Sequence, residues 1–253
     1  MIPYRDENKT VRTPVITLAI IAANVIIWFI VQGAGTPMAL ARSVCNFGLI
    51  AGELTGRASP GTVFPLGPDV VCLTDEGRAV GHLFTSMFLH GSWMHLIGNM
   101  WFFWIFGNNI EDSMSRPRFV IFYLLSGLAA AAAQIVSNPA SVAPMIGASG
   151  AISGVMGAYL VLYPRVRVYT LVPIGFVLTS FALPAWSMLL YWMVLQVVSG
   201  LLSLAGSSMG GVAFFAHIGG FVAGVVLIKL FAKSQRVRAH DSRRWTPRRT
   251  GWR

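Results

Sequence analysis

The sequence predicts an all-α membrane protein, a bundle of six transmembrane helices with a long external loop between the first and the second. Of its 253 residues, 55% are hydrophobic and only 11% are charged. The mean hydropathy of +0.65 is far above the value of a soluble domain of this length. The third observation is the placement of charge, because four long stretches carry none: residues 13–41, 79–110, 119–164 and 168–228.

The lengths of these stretches give the number of helices. About 20 apolar residues span a bilayer, so the stretches hold one, one, two and two helices. Proline and small polar residues break the last two stretches, at SNPASVAP, FALP and AGSSMGG. The predicted spans are residues 13–33, 90–110, 118–136, 148–163, 184–204 and 211–231. We interpret the first span as a retained helix, because the residues before it are polar and no convincing cleavage site follows it.

The basic residues predict the orientation. Lys and Arg collect on the cytoplasmic side of a membrane protein. With six spans, sixteen of the 19 basic residues fall on one side, and only Arg42, Arg57 and Arg78 fall on the other. We therefore expect a cytoplasmic N-terminal segment (1–12), a transmembrane domain (13–232) with an external loop (34–89), and a basic cytoplasmic tail (233–253). The expected location is the cell inner membrane or the plasma membrane.

Residues 166–182 are open to two interpretations, a seventh short span or a loop. Pro173 and Gly175 favour a loop or a re-entrant segment at the inner face. A seventh span would also export the basic tail, which the positive-inside rule opposes.

Two further features concern partners and cross-links. The tail carries Arg together with Trp245 and Trp252, and its position after a span favours anionic lipid headgroups over nucleic acid as its partner. Cys45 and Cys72 both lie in the external loop, where a disulfide is possible, but two cysteines alone do not establish a pair. The sequence also leaves the oligomeric state open.

Polar side chains inside the spans lie at matching depth. Such residues are costly in a membrane unless they have partners or face water, so they are functional candidates. The second span carries His90, His95 and Asn99, the fourth begins at Ser149, and the sixth carries His217. At 1.5 Å per residue, His95 and His217 lie about 9 Å below the starts of their spans, so these groups can meet in the outer leaflet.

Each of these features also has an interpretation without catalysis. A polar pair four residues apart, such as His95 and Asn99, can hold an oxyanion or simply join two helices. The glycines around Ser149 and those of the sixth span can serve close helix packing alone, or can bring His217 to Ser149. A metal site is poorly supported, since the sequence has no HExxH motif and the cysteines lie in the loop. We therefore expect no metal and no other cofactor.

Three motifs occur in order on alternate spans: HGSWMHLIGN, GASG and AHIGGFVAG. With them the chain resembles the rhomboid intramembrane serine proteases of bacteria, over at least residues 82–228. The resemblance implies a nucleophile at Ser149 and a general base at His217. It further implies oxyanion donors at His95, Asn99 and the backbone N–H of Ser149. Structural residues near the site would be His90, Gly147, Gly150 and Gly220.

The chain departs from the family pattern at two places. Gly81-His82 stands where many members have Trp-Arg, so the anchoring of the outer loop is unassigned. Ser153 stands where many members have an aromatic residue that stacks on the histidine, so other packing must orient His217. No carboxylate lies in a span at this depth, which fits a Ser-His dyad.

The resemblance implies substrates that are single-span membrane proteins, cleaved near the outer face after their helix unwinds. The fifth span, with Trp186, Trp192 and Gln196, would be the gate through which they enter. Two other hypotheses stay open, a catalytically silent rhomboid-like protein that binds membrane helices and a small transporter. The sequence shows no internal repeat or paired broken helices of the kind that a transporter would have.

Overall fold

The computed structural model describes residues 2–66, 70–75, 80–205 and 211–244. Helices make up most of these residues. They are α1 (Val15–Ile30), α2 (Pro37–Phe47), α3 (Ala51–Thr55), α4 (His82–Thr85), α5 (Trp93–Ser113), α6 (Arg116–Ser137), α7 (Ser149–Leu162), α8 (Ala185–Leu204), α9 (Phe214–Phe231) and α10 (Ser234–Arg244). The strands are β1 (Ile2–Asp6), β2 (Val63–Pro65), β3 (Val71–Leu73), β4 (Arg167–Ile174) and β5 (Val177–Pro184).

The prediction of a membrane protein is confirmed by the length and composition of the helices. Among the described residues, α6, α8 and α9 are each long and apolar enough to cross a bilayer. α1 and α7 are apolar but shorter, with 16 and 14 residues. The described part of the basic tail forms α10, while Trp245 and Trp252 lie outside the described residues.

The described residues are mostly helical, as predicted, but residues 166–182 are strands rather than a loop or a span. β4 and β5 form a hairpin, and β1 pairs with β4 to give an antiparallel sheet in the order β1-β4-β5. β-branched and aromatic residues are frequent along this segment and favour strands. Gly175, with φ +59°, makes the tight turn between the paired residues Ile174 and Val177.

The strand β1 is fixed to the helices by three hydrogen bonds. Asp6 Oδ2 accepts from the Tyr159 hydroxyl at 2.5 Å and from Asn109 Nδ2 at 2.8 Å. The Trp101 indole N–H donates to the carbonyl of Pro3 at 2.6 Å. The N-terminal segment therefore lies along α5 and reaches α7, which its polar composition alone did not indicate.

The segment predicted as the external loop (34–89) is folded rather than irregular in its described residues. It contains α2, α3, α4 and a two-stranded ribbon in which β2 pairs with β3. Cys45 in α2 and Cys72 in β3 form a disulfide, with their Cα atoms 5.3 Å apart. The cysteine pairing that the sequence left open thus joins the ribbon to α2.

The beginning of α1 and the end of α5 are joined by two carboxylates of α5. Glu111 accepts the backbone N–H groups of Ile16 and Thr17, at 3.0 and 2.8 Å, and so satisfies donors in the first turn of α1. Asp112 forms a salt bridge with Arg12 at 2.8 Å. These contacts fix the register between the first helix and the helix that carries His95 and Asn99.

Glycines bring the backbones of α7 and α9 into contact. A Cβ on Gly220 would overlap the carbonyl of Gly150, and one on Gly224 would overlap the carbonyl of Gly154. Without side chains at these positions, the two helices approach closely enough to bring their first turns together. Ser149 and His217 lie in those first turns.

Candidate active site

Ser149 is the first residue of α7, and two loop contacts hold it there. Met145 pairs with Leu49 through both backbone groups, at 2.8 and 3.0 Å, and the N–H of Gly147 donates to Ser86 O at 2.9 Å. Gly147 has φ +123°, a conformation that residues with a side chain rarely adopt. This turn directs the chain into α7 with the serine hydroxyl beside α9.

The structure brings Ser149 and His217 into contact. His217 Nε2 lies 2.8 Å from Ser149 Oγ. The other ring nitrogen, Nδ1, lies 2.7 Å from Oε1 of Gln196 on α8. An amide oxygen only accepts, so Nδ1 carries the proton and Nε2 is free to accept from the serine hydroxyl.

An aromatic ring also packs on His217, but it comes from Trp192 on α8 and not from position 153 on α7, where many family members have it. The Trp192 ring lies 5.7 Å from the imidazole, centroid to centroid, at an angle of 37°. Ser153 instead donates to the carbonyl of Ser149 at 2.6 Å. Sequence reasoning noted Trp192 and Gln196 only as gate residues. Their spacing of four puts both on one face of α8, and this spacing was the one signal in the sequence that they act together.

His95 presents a donor beside the dyad. Ser92 caps α5, its Oγ accepting from the backbone N–H of His95 at 3.1 Å. His95 Nδ1 accepts from the N–H of Gly91 at 3.3 Å, so the neutral ring carries its proton on Nε2. A Cβ built on Gly147 would lie 2.8 Å from His95 Nε2 and 3.5 Å from Ser149 Oγ. The missing side chain thus leaves a small space between the two groups.

Asn99 is a second donor on the same face of α5. Its side chain is 7% exposed, and its Nδ2 has no hydrogen-bond partner among the described residues. Buried polar groups in folded proteins nearly always have partners, so an open amide donor is a candidate for binding a ligand. Asn99 lines the same cavity as His95, Ser149 and His217.

His90 lies behind the site and not in it. It is fully buried, and its ring contacts the ring of His95 edge to face, with centroids 5.0 Å apart. Gln32, beyond the end of α1, holds the backbone of His90 at both its N–H and its carbonyl, at 2.8 Å each. Sequence reasoning missed Gln32, since the backbone groups of His90 that it contacts lie 58 residues away along the chain.

The cavity above the dyad is a cleft rather than a closed chamber. It runs from Ser149, Trp192 and Met156 to Pro37 and Phe64 of the external loop. Such a cleft can admit an extended chain together with water. Among the described residues, no group of three or more His, Cys, Asp and Glu side chains is arranged to hold a metal ion.

Comparison with known proteins gives one family. The model of the rhomboid domain matches residues 78–234. Yeast (Saccharomyces cerevisiae) rhomboid protein 1, mitochondrial, is 27% identical over 173 residues, which are 63% of this chain and 45% of that protein. The rhomboid-like protease 5 of Toxoplasma gondii is 30% identical over 161 residues, 60% of this chain and 17% of that protein. The rhomboid protease GluP of Bacillus subtilis is 37% identical over 78 residues, 31% of this chain and 15% of that protein. The chain spans about half of the length of its curated relatives, or less.

Proposed function

The chain belongs to the rhomboid family, and from that premise we propose that it is an intramembrane serine endopeptidase. Its substrates would be single-span membrane proteins, cleaved in their transmembrane segments near the outer face. The observation that carries this proposal is the 2.8 Å contact between Ser149 Oγ and His217 Nε2, next to a small space that His95 Nε2 borders. A serine hydroxyl is a weak nucleophile until a neighbouring base takes its proton.

The proposed reaction has two halves. Ser149 Oγ attacks the substrate carbonyl carbon while its proton passes to His217 Nε2, and the carbonyl oxygen becomes an oxyanion. The intermediate collapses, the C–N bond breaks, and the proton on Nε2 goes to the leaving amine. A water molecule then gives a proton to Nε2 and attacks the acyl carbon. Ser149 leaves with that proton, and a carboxylic acid is released.

We assign the oxyanion to the space that Gly147 leaves open. His95 Nε2–H borders this space, and Asn99 Nδ2 lines the same cavity without a partner among the described residues. The backbone N–H of Ser149 is a third donor, since the first turn of α7 offers it no acceptor within the helix. Donors fixed in advance stabilise the charge without reorganising as it forms.

We further propose that α1, α5, α6, α7, α8 and α9 all cross the membrane, with both chain ends in the cytoplasm. Contacts at one end of the bundle support this orientation. Arg118 donates to the carbonyl of Phe231 at 3.1 Å, and Arg236 contacts the carbonyl of Met114. Together with Arg12 on Asp112, they form a basic inner face opposite the dyad. The location would be the cell inner membrane or the plasma membrane.

The main competing function is a catalytically silent protein that binds membrane helices. A protein that only binds helices does not need a serine hydroxyl hydrogen-bonded to a base. It also does not need the tautomer in which His217 Nε2 accepts from that hydroxyl. The hydrogen bonds of His217 on both ring nitrogens favour the protease.

The test is cleavage in reconstituted vesicles. The full chain would be mixed with a labelled single-span substrate, and the products examined for one new terminus. Ser149→Ala and His217→Ala should each abolish cleavage, and the double variant should be no worse, because residues that act as one unit are not additive. Ser137→Ala, at the C-terminal end of α6 and outside the cavity that Ser149 and His217 line, is the matched control and should keep full activity. Cleavage that persists in Ser149→Ala would refute the proposal.

A further inference from the structure

Gln196 completes the hydrogen bonding of His217, and it does so from a neighbouring helix. In a Ser-His-Asp triad, the acid accepts from Nδ1–H and fixes the tautomer and orientation of the histidine. Here Gln196 Oε1 lies in that position, 2.7 Å from Nδ1. A neutral amide provides the acceptor without the cost of placing a carboxylate at this depth in a membrane.

The helix that carries Gln196 is the least covered of the long apolar helices. Only 17% of the residues in the apolar window of α8 are buried, against 39% for α6 and 33% for α9. Its side chains on either side of Gln196, Leu195 and Val197, are exposed. α8 therefore has fewer contacts that resist its displacement from the bundle.

The inner end of α8 is fixed by two backbone hydrogen bonds. Ala185 N–H donates to Val166 O at 2.8 Å, and Trp186 N–H donates to Pro164 O at 3.0 Å. Gln196 lies eleven residues beyond Ala185, about 16 Å along the helix. A tilt of α8 about its inner end would move Gln196 and Trp192 away from His217 together.

We propose that Gln196 is the positioning residue of the Ser149–His217 dyad, and that it makes the dyad competent only while α8 lies against α9. This inference rests on the proposed protease function. When α8 moves outward, Nδ1 loses its acceptor and Trp192 leaves the imidazole face. Either ring nitrogen can then carry the proton, and in one of the two tautomers Nε2 no longer accepts from Ser149.

The first experiment separates positioning from binding. Gln196→Leu removes the acceptor at similar volume, and kcat for a labelled substrate should fall by ~10²-fold, the scale of general-base catalysis, with KM unchanged. Gln196→Glu restores an acceptor at the same reach and should recover most of the loss. Leu195→Ala, the adjacent exposed residue, is the control. A Gln196→Leu variant with the kcat of the parent would overturn the proposal.

The second experiment does not need cleavage. Histidine labelled with ¹⁵N in the full chain reports the tautomer of each ring, and the His217 signal is the one lost in His217→Asn. We expect a single Nδ1–H tautomer in the parent and a mixture in Gln196→Leu. The same single tautomer in both would overturn the positioning role. If the parent cleaves no substrate, the proposed function fails while this measurement still decides the role of Gln196.

The dependence on α8 is tested by locking the helix in place. A Cβ on Gly200 would lie 3.4 Å from the Cβ of Phe214 on α9, close to the separation that a disulfide requires. In the oxidised Gly200→Cys/Phe214→Cys variant, a small fluorophosphonate should label Ser149 at least as fast as in the reduced variant. The parent with and without reductant controls for the native Cys45–Cys72 bond. Slower labelling of the locked form would overturn the requirement for α8 against α9.

Discussion

At the scale of the residue, Gly147 has two separate reasons to lack a side chain. Its φ of +123° strains any other residue, and a Cβ there would lie 2.8 Å from His95 Nε2. We expect Gly147→Ala to lower kcat by ~10²–10³-fold, the usual effect of losing one oxyanion donor, because the methyl group fills the space for the anion. Cleavage kinetics would be compared with Gly81→Ala, where a Cβ meets nothing within 4 Å. Unchanged kinetics in Gly147→Ala would show that the oxyanion does not bind in this space.

Asn99 gives a second prediction at this scale. Asn99→Ala removes one of three proposed donors, so kcat should fall by ~10²–10³-fold and some activity should remain. Asn99→Asp keeps the size of the side chain but replaces the amide donor with a carboxylate, and it should be at least as impaired. Both would be measured as kcat/KM with one substrate. Complete inactivity of Asn99→Ala in a folded protein would mean that Asn99 also has a structural role.

At the scale of the element, the contact between α7 and α9 sets the geometry of the dyad from a distance. Gly224 lies two turns beyond His217, and a Cβ there would overlap the carbonyl of Gly154. Gly224→Ala should therefore push the helices apart, lowering both the thermal midpoint and kcat, although it touches no site residue. Val222→Ala, at an exposed position on the same helix, is the control for both measurements. An unchanged midpoint and kcat would show that the helices can shift without disturbing the dyad.

The elements also show what the sequence could predict. The apolar stretches predicted the bounds of the long helices to within a few residues, because a long apolar helix can be recognised from the composition of its own segment. The sheet was missed, since pairing β1 with β4 joins segments more than 160 residues apart, and the valines of 166–182 fit a membrane segment equally well. Counting residues from the start of each span placed Ser149 and His217 at a similar depth, so their contact could be predicted. The spacing of Trp192 and Gln196 puts both on one face of α8, but it does not say that this face meets His217, because that contact depends on the rotation of α8 about its own axis.

At the scale of the whole molecule, the basic residues predict the topology. A reporter fused after Arg253 should be cytoplasmic, and one inserted within residues 50–70 should be external, since sixteen of the 19 Lys and Arg residues lie on the proposed inner side. Enzymatic reporters that are active on only one side of the membrane make the measurement. An external C-terminus would refute the six-span arrangement and, with it, the depth argument that brought Ser149 and His217 together.

The tail gives the last prediction, at the same scale. Truncation after Lys233 removes seven arginines, and truncation after Arg244 removes three of them. Each basic residue near an anionic surface contributes about 1 kcal/mol of attraction, so binding to vesicles with anionic lipid should weaken in steps with the two truncations. Cleavage of a substrate in detergent should continue, because no proposed site residue lies in the tail. The longer truncation also removes the contact of Arg236 with Met114, so the thermal midpoint must be measured alongside. If both truncations bind anionic vesicles as the full chain does, the tail has a partner other than lipid.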